Sequence, residues 1–250
     1  MANEFESWRS YRRFVRSIQT ECRYLHTEKV QQFLKAVLET GQTRSTEIAK
    51  GELLWRSQLI PTSSCQGKVK APLPPERMKP RKDSAKEGRV NPKGIPCLYL
   101  SNDKNTALSE VRPWVGLTIS LGQFKTVKTL KVIDFSRDDS VGRIFYLGEK
   151  EPSPEKRERA VWSHINHDFS TPVTLSDDQA EYVPTQILSE LFKSNGYDGL
   201  VFKSSCGKGH NIALFDINAA KMISGQLCTA KSVRFNFDKS ATPSFLKKPI

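Results

Sequence analysis

Three residues able to handle a charged substrate stand close together between Gly88 and Pro113. Arg89 lies in a basic turn, Tyr99 in a short apolar strand and Glu110 in a polar helix. A guanidinium offers paired donors to phosphate, a tyrosine ring can stack on a base, and a carboxylate can stabilise developing positive charge. Each residue falls near the end of its element, where sites are usually built. The stretch is therefore a candidate site.

Each of these three residues also has an ordinary structural explanation. Glu110 could be a surface helix residue paired with Lys104 or Arg112. Arg89 could be one surface arginine in a basic loop, and Tyr99 could be a core residue of an apolar strand. The residue types alone leave both interpretations open.

Two helices are predicted ahead of the candidate site, between Phe5 and Gly41. Apolar residues recur every three or four positions from Trp8 to Leu25, so they form one stripe. Thr27 can cap a second helix, which Gly41 ends. We interpret the stripe as core packing, and a partner-binding surface is the alternative.

A second arginine occupies the middle of a short apolar strand predicted from Glu52 to Ile60. A charge inside such a strand is costly unless it is paired or faces a ligand. Arg56 is therefore a further candidate for an anionic ligand. The alternative is an edge strand from which its side chain reaches solvent.

A long basic loop is predicted from residue 61 to residue 93. Seven of the 14 prolines lie between Pro61 and Pro96, and Lys68 to Lys93 holds nine Lys or Arg against three acids. Loops of this length inside a compact domain are usually functional or disordered. The charge could steer a phosphate-bearing ligand toward Arg89 or could simply be solvated, and the sequence leaves both open.

The remaining pattern mixes helices and strands without regular βαβ alternation. Further helices are predicted at Thr106–Val111, Glu151–Phe169 and Tyr182–Asn195. Further strands are predicted at Cys97–Ser101, Leu117–Leu121, Thr126–Phe135, Met222–Leu227 and Ser232–Phe237, with a strand–turn–strand unit at Gly199–Phe215. The sequence contains no P-loop and no Rossmann glycine motif. We therefore expect an α+β fold with a mixed β-sheet core flanked by helices.

The net charge of +12 is the largest compositional feature of the chain. It favours an acidic partner, such as a nucleic acid, a phosphorylated small molecule or an acidic protein. No arginine-rich helix or aromatic RNA-binding motif accompanies the charge. Direct binding of nucleic acid would therefore rest on charge alone.

Apolar patterning and cysteine usage indicate a cytoplasmic protein. No apolar run approaches the length of a membrane span, and the N-terminus does not resemble a signal peptide. The five cysteines are scattered and form no C-x-x-C pair, which favours reduced thiols. The four histidines give one close pair, His164 and His167, with no second cluster, so we expect no metal site.

Five motifs occur in an order that resembles a known family. They are LWRSQL, GRVNPKGIPCLYLS, TALSEVRP, YVPTQILSELFKSNGYDGLVFKSS and GHNIALF. The chain resembles the RES domain, the toxin half of bacterial toxin–antitoxin pairs, from about Leu53 to Phe215. The resemblance implies a fold like that of ADP-ribosyltransferase toxins, with an NAD-binding cleft. The N-terminal helical pair lies outside this match and resembles a domain appended to some longer members. We divide the chain into an N-terminal helical segment at 1–45, a catalytic domain at 46–235 and a loose tail at 236–250.

Matching the motifs one by one implies six site residues. The implied catalytic residues are Glu110, Arg56 and Ser204, and the implied substrate-binding residues are Arg89, Tyr99 and Asn211. Ser205 is the register alternative to Ser204. Some members of the family have an aromatic residue directly after the first arginine, where this chain has Ser57. Another aromatic side chain, such as Trp55, would have to stack on the ligand, or that contact is absent.

The family's chemistry suggests a role for each residue. Cleavage of the bond between ribose and nicotinamide releases a neutral leaving group, so the protein must mainly stabilise an oxocarbenium-like transition state. We assign that role to Glu110. The arginines suit the pyrophosphate, Tyr99 a ring of the substrate, and Ser204 the ribose or the nicotinamide amide. No histidine and aspartate accompany Ser204 in an arrangement that would make it a nucleophile.

The resemblance implies an NAD-degrading toxin that acts as a glycohydrolase or a phosphorylase. NAD would be the substrate, with no metal required. An ADP-ribosyltransferase that modifies a protein is the alternative, and a non-enzymatic basic module that binds nucleic acid is a further one. The resemblance also implies an antitoxin partner, often of the helix-turn-helix type, through which nucleic acid is contacted only indirectly.

Overall fold

The structure is a computed structural model that describes residues 4–60, 71–81, 84–137, 143–148, 150–171 and 179–234. Within these residues the helices are α1 (Ser10–Thr20), α2 (Glu28–Gly41), α3 (Pro75–Met78), α4 (Lys104–Glu110), α5 (Pro154–Ser170) and α6 (Val183–Ser194). The strands are β1 (Ser45–Ile48), β2 (Leu53–Leu59), β3 (Leu98–Ser101), β4 (Thr118–Thr126), β5 (Leu130–Asp134), β6 (Gly199–Lys203), β7 (His210–Leu214) and β8 (Ala220–Thr229).

All eight strands belong to one mixed sheet in the order β1-β5-β6-β7-β3-β2-β4-β8. The β5–β6 pair is parallel, and the other neighbouring pairs are antiparallel. The α+β fold with a mixed sheet and N-terminal helices, predicted from the sequence, is confirmed.

Strand β2 lies inside the sheet between β3 and β4. It pairs with β4 along its whole length but with β3 only where Trp55 meets Ser101. The edge-strand explanation for Arg56 is therefore wrong. The charged side chain sits in the interior of the sheet, where it needs a partner or a ligand.

Helices α1, α2, α5 and α6 lie on one face of the sheet and contribute to one buried cluster rich in aromatic residues. Phe14 stacks on Phe33 with their ring centroids 4.8 Å apart, and Phe135 meets Phe169 at 4.5 Å. The N-terminal helices thus share a core with the later helices. The proposed division of the chain at residue 45 stays a prediction.

The apolar stripe of the first helix is only partly as predicted. Tyr11, Phe14 and Ile18 are buried, which supports core packing. Leu25 is 80% exposed, because α1 ends at Thr20 and Leu25 lies in the loop before α2. The predicted cap of α2 is confirmed, since the Thr27 hydroxyl accepts from the Val30 amide at 3.4 Å.

The opposite face of the sheet carries a second apolar cluster that includes Leu54, Leu98 and Phe124. Met78 joins this cluster from α3 and is fully buried. Part of the segment predicted as a basic loop therefore packs against the sheet. Residues 61–70 and 82–83 of that segment, and the predicted tail at 236–250, lie outside the described residues.

Several predicted strand bounds differ from the structure. The break expected after Leu121 is absent, because β4 is paired on both sides and continues through Gly122 to Thr126. Strand β1 pairs with β5 and was not predicted. The last predicted strand is wrong for residues 232–234, which form no strand, and its remainder lies outside the described range. No helix in the described part of the chain is long and apolar enough to cross a membrane.

Candidate active site

A cleft of about 350 Å³ is lined by the middle of β2, by β3 and by the start of β7, beside α4 and the Gly88–Asn91 turn. This volume falls within the range of small-molecule sites. Its lining comprises Trp55, Arg56, Ser57, Gly88, Arg89, Tyr99, Leu100, Ser101, Ala107, Glu110, Val111, Tyr182, Phe202 and Asn211. Five of the six predicted site residues therefore line one cleft, and the sixth, Ser204, contacts it through Glu110.

Glu110, the last residue of α4, is held by two donors from the β6–β7 hairpin. The Ser204 hydroxyl and the Asn211 side-chain amide each donate to Oε1 at 2.6 Å. No described residue forms a hydrogen bond to Oε2. One carboxylate oxygen is thus fixed, while the other remains available to a ligand in the cleft.

The two neighbouring serines of the hairpin, Ser204 and Ser205, differ in their contacts. The Cys206 amide donates to the Ser204 oxygen at 3.0 Å, which leaves the hydroxyl proton for Glu110. Ser205 is exposed, and among the described residues its hydroxyl approaches the Cys206 sulfur, at 3.8 Å, but not Glu110. Ser204 is therefore the serine that contacts the candidate catalytic carboxylate.

The hairpin turn approaches α4 so closely that it requires glycine. The Gly209 amide donates to the Thr106 hydroxyl at 3.0 Å. A Cβ atom on Gly207 would lie 2.4 Å from the same hydroxyl oxygen, which is a steric clash. This contact, together with the Asp103 side chain that caps α4, sets the distance between the hairpin and Glu110.

The Arg56 guanidinium is buried beside the cleft, and not all of its hydrogen-bond donors are paired within the described residues. Its Nη1 donates to the Tyr99 carbonyl at 2.8 Å, while its Nε is buried with no hydrogen-bond partner among the described residues. Burial lowers the pKa of Arg56 from its ordinary value. An unpaired buried donor is costly, so an anion in the cleft would relieve that cost.

Arg89 enters the cleft from the turn and is anchored behind it. Its Nη1 donates to the Phe169 carbonyl at 2.6 Å, at the C-terminal end of α5, where carbonyls carry partial negative charge. No further hydrogen bond to this guanidinium is formed within the described residues. Burial lowers its pKa, and attraction from Tyr182 and Glu110 partly offsets the shift.

The Tyr99 ring lines the cleft, but its hydroxyl turns toward the neighbouring turn. It donates to the Asn91 side-chain oxygen at 2.8 Å and accepts from the Val90 amide at 3.1 Å. Burial raises the pKa of Tyr99 far above its ordinary value, so the hydroxyl stays protonated. Stacking on a substrate ring stays a prediction, and the hydroxyl is occupied by the turn.

Trp55 and Ser57 lie on the same face of β2, because they are two residues apart in one strand. Both line the cleft. The Ser57 hydroxyl is buried without a described hydrogen-bond partner. Trp55 is thus an aromatic residue on the same face of β2 as Ser57, and its stacking on a ligand stays a prediction.

Two residues of the YVPTQ motif contribute to the site without having been assigned a role from the sequence. Tyr182 lines the cleft. The Gln186 side-chain amide donates to the Gly88 carbonyl at 2.9 Å and to the Asn91 carbonyl at 3.2 Å, behind the turn. The spacing of the two residues, one helical turn apart, was the available signal.

The residues available to hold a metal do not cluster in the described part of the chain. No group of three or more His, Cys, Asp or Glu forms a potential metal site there. His164 of the close histidine pair is buried, with its Nε2 2.8 Å from the Ile144 carbonyl. Cys22, Cys97, Cys206 and Cys228 are free thiols, and burial raises the pKa of Cys97 to about 12.

Comparison with known proteins identifies one family over most of the chain. Residues 53–238 match the family model of the RES domain. No curated protein sequence matches the chain. Among solved structures, one chain of the M. tuberculosis MbcT–MbcA toxin–antitoxin complex is similar, with a TM-score of 0.44 and 15% identity. The similarity covers 77% of this chain and 92% of that one.

Proposed function

This chain belongs to the RES domain family, and from its cleft we propose that it is a toxin-type enzyme that degrades NAD by cleaving the nicotinamide–ribose bond. The observation that carries the proposal is the state of Glu110. Its carboxylate lies in the cleft with Oε1 fixed by Ser204 and Asn211 and Oε2 open.

The Glu110 carboxylate, held by Ser204 and Asn211, suits cleavage of the nicotinamide–ribose bond. Nicotinamide leaves as a neutral molecule, so the reaction needs stabilisation of positive charge on the ribose more than it needs an acid. A carboxylate fixed before the reaction stabilises that charge without reorganising. Glu110 supplies this charge, and its open Oε2 can accept a hydrogen bond from a ribose hydroxyl.

The cationic side of the cleft suits the pyrophosphate of NAD. Arg56 has a buried Nε without a hydrogen-bond partner among the described residues. Arg89 bonds to the Phe169 carbonyl through Nη1, and its other guanidinium donors form no hydrogen bond to a described residue. Guanidinium groups bind phosphate oxygens through paired hydrogen bonds. The aromatic rings of Trp55, Tyr99 and Tyr182 in the same cleft are available to stack on a base.

The proposed function also implies a protein partner and a cellular location. An NAD-degrading toxin must be restrained in the cell that makes it, so we infer an antitoxin of the helix-turn-helix type that blocks the cleft. DNA would then be contacted through the antitoxin. The NAD pool that the enzyme would deplete is cytoplasmic, and we place the protein there.

The experiment is an incubation of the purified protein with NAD labelled in the adenosine part, with and without inorganic phosphate. Release of free nicotinamide together with ADP-ribose supports glycohydrolysis, and release of a phosphorylated ADP-ribose supports phosphorolysis. Transfer of the label to a protein would instead support the ADP-ribosyltransferase alternative. An unchanged NAD pool under both conditions would refute the proposal.

A further inference from the structure

Two buried side-chain amides, Asn91 and Gln186, hold the turn that carries Arg89. Neither side chain lines the cleft, and their exposed fractions are 3% and 6%. We propose that these amides are positioning residues for substrate binding, acting through Arg89. This inference rests on the proposed function, because it concerns how the same cleft recognises the phosphates of NAD.

The Gln186 amide holds the turn from helix α6. Its Nε2 lies 3.0 Å from Glu87 Oε1, 2.9 Å from the Gly88 carbonyl and 3.2 Å from the Asn91 carbonyl. All three partners are acceptors, so the position requires a donor. A carboxylate of the same shape would instead place an acceptor against three oxygens.

The Asn91 amide holds the turn from within. Its Nδ2 donates to the carbonyls of Lys86, Pro92 and Ile95 at 2.8–3.2 Å. Its Oδ1 accepts a hydrogen bond from the Tyr99 hydroxyl. The single side chain therefore ties together the two ends of the loop and the adjacent strand β3.

The hydrogen bonds that close the Gly88–Asn91 turn restrict the backbone of Arg89, which lies between these two residues. Gly88 and Asn91 exchange backbone hydrogen bonds of 3.0 and 3.3 Å across the turn. The Val90 amide donates to the Tyr99 hydroxyl. A Cβ atom on Gly88 would lie 2.6 Å from that hydroxyl oxygen, so the close approach requires glycine. Arg89 is thereby fixed at both ends, by the turn and by its bond to Phe169.

The arrangement predicts that the amides affect substrate affinity more than the chemical step. Glu110 is held by Ser204 and Asn211 from a different part of the chain. Loosening the turn would move Arg89 but leave this carboxylate in place. The KM for NAD should therefore rise while kcat is largely kept.

The first measurement tests the turn itself and does not depend on activity. Hydrogen exchange of the Gly88–Asn91 amides should accelerate about tenfold or more in Gln186→Glu, while helix α6 stays protected. Glu190→Gln, one turn further along the same helix and exposed, is the matched control and should exchange like the wild type. Unchanged exchange in Gln186→Glu would overturn the inference.

The second measurement is a double-mutant cycle on kcat/KM for NAD. Gln186→Glu should raise KM roughly tenfold with kcat within about threefold, and it should have little further effect once Arg89→Ala is present. Full additivity of the two changes would overturn the proposal. If Gln186→Glu does not fold, Tyr99→Phe removes the hydroxyl contacts and should give the same pattern in weaker form. A wild type that leaves NAD intact would refute the proposed function, whereas the exchange result would still decide whether the amides hold the turn.

Discussion

The Ser204 hydroxyl donates to Glu110 Oε1 at 2.6 Å across 94 residues of sequence. The contact links the end of α4 to the start of the β6–β7 turn. It fixes the orientation of the carboxylate that we propose stabilises the reacting ribose, so it gives the first prediction.

Ser204→Ala should reduce kcat for NAD cleavage by about tenfold or more, because hydrogen bonds to charged groups contribute roughly 1.5–3 kcal/mol. The carboxylate would keep its bond to Asn211 but could rotate. Steady-state kinetics on the purified variant measures the effect. Ser205→Ala is the matched control and should behave as the wild type, and an equal loss in both variants would count against the assignment of Ser204.

Arg56→Lys should lower kcat/KM for NAD roughly tenfold or more although the charge is kept. All three donors of a lysine sit on one nitrogen, so it lacks the planar fork in which the guanidinium Nη1 bonds to the Tyr99 carbonyl while a separate donor, Nε, stays available to phosphate. The kinetics of NAD cleavage measure the loss. The exposed Arg81→Lys serves as control, and wild-type kinetics in Arg56→Lys would show that the unpaired Nε does not meet the substrate.

Trp55→Ala should raise the KM for NAD by roughly twofold to tenfold, which is the range expected for loss of one aromatic contact. Trp55→Phe should restore most of the affinity, because an aromatic face remains. Trp114, which is 64% exposed and does not line the cleft, provides the control Trp114→Ala. An unchanged KM in Trp55→Ala would mean that the aromatic contact is absent in this chain.

The free energy of unfolding should fall on acidification because of His164. Burial lowers its pKa below the ordinary value of about 6.5, Arg143 and Arg12 act in the same direction, and the Ile144 carbonyl and Asp168 oppose them. As the pH falls below about 6.5, the unfolded chain binds a proton at this histidine before the folded protein does. The contribution of His164 to the free energy of unfolding is therefore fully present above that pH. It is lost as the pH falls through the lower pKa of the folded protein.

Urea unfolding at about pH 7.5 and about pH 5 checks this expectation. His164→Gln removes the titrating group and should reduce the difference between the two conditions. The pKa of His167 is also lowered by burial, so part of the difference should remain. His26→Gln, at a partly exposed position, should leave the difference unchanged, and an equal pH dependence in His164→Gln would contradict the account.

Local patterns in the sequence were sufficient to predict most elements of this fold. The periodicity of α5 and α6, the Thr27 cap and the strand–turn–strand unit all depend on neighbours along the chain. The continuous β4 could not be predicted in this way, because pairing with β2 and β8 carries it through Gly122. The exposure of Leu25 likewise follows from where α1 ends and not from apolar spacing.

The members of the site were predictable from motif order, but their contacts were not. The sequence placed Tyr99 at the site, yet nothing in it showed that the hydroxyl is turned toward Asn91. The buried Gln186 resembled any polar helix residue until the turn behind it was known. These contacts join segments distant in sequence, and only the folded chain brings them together.

The most direct test of the account is nicotinamide release from NAD by the wild type and by Glu110→Gln. Glutamine keeps the shape and an acceptor oxygen for Ser204 and Asn211 but removes the negative charge. We predict that the wild type releases nicotinamide and that kcat falls at least about a hundredfold in the variant, with the folded structure retained. Release by Glu110→Gln at the wild-type rate would contradict the central claim.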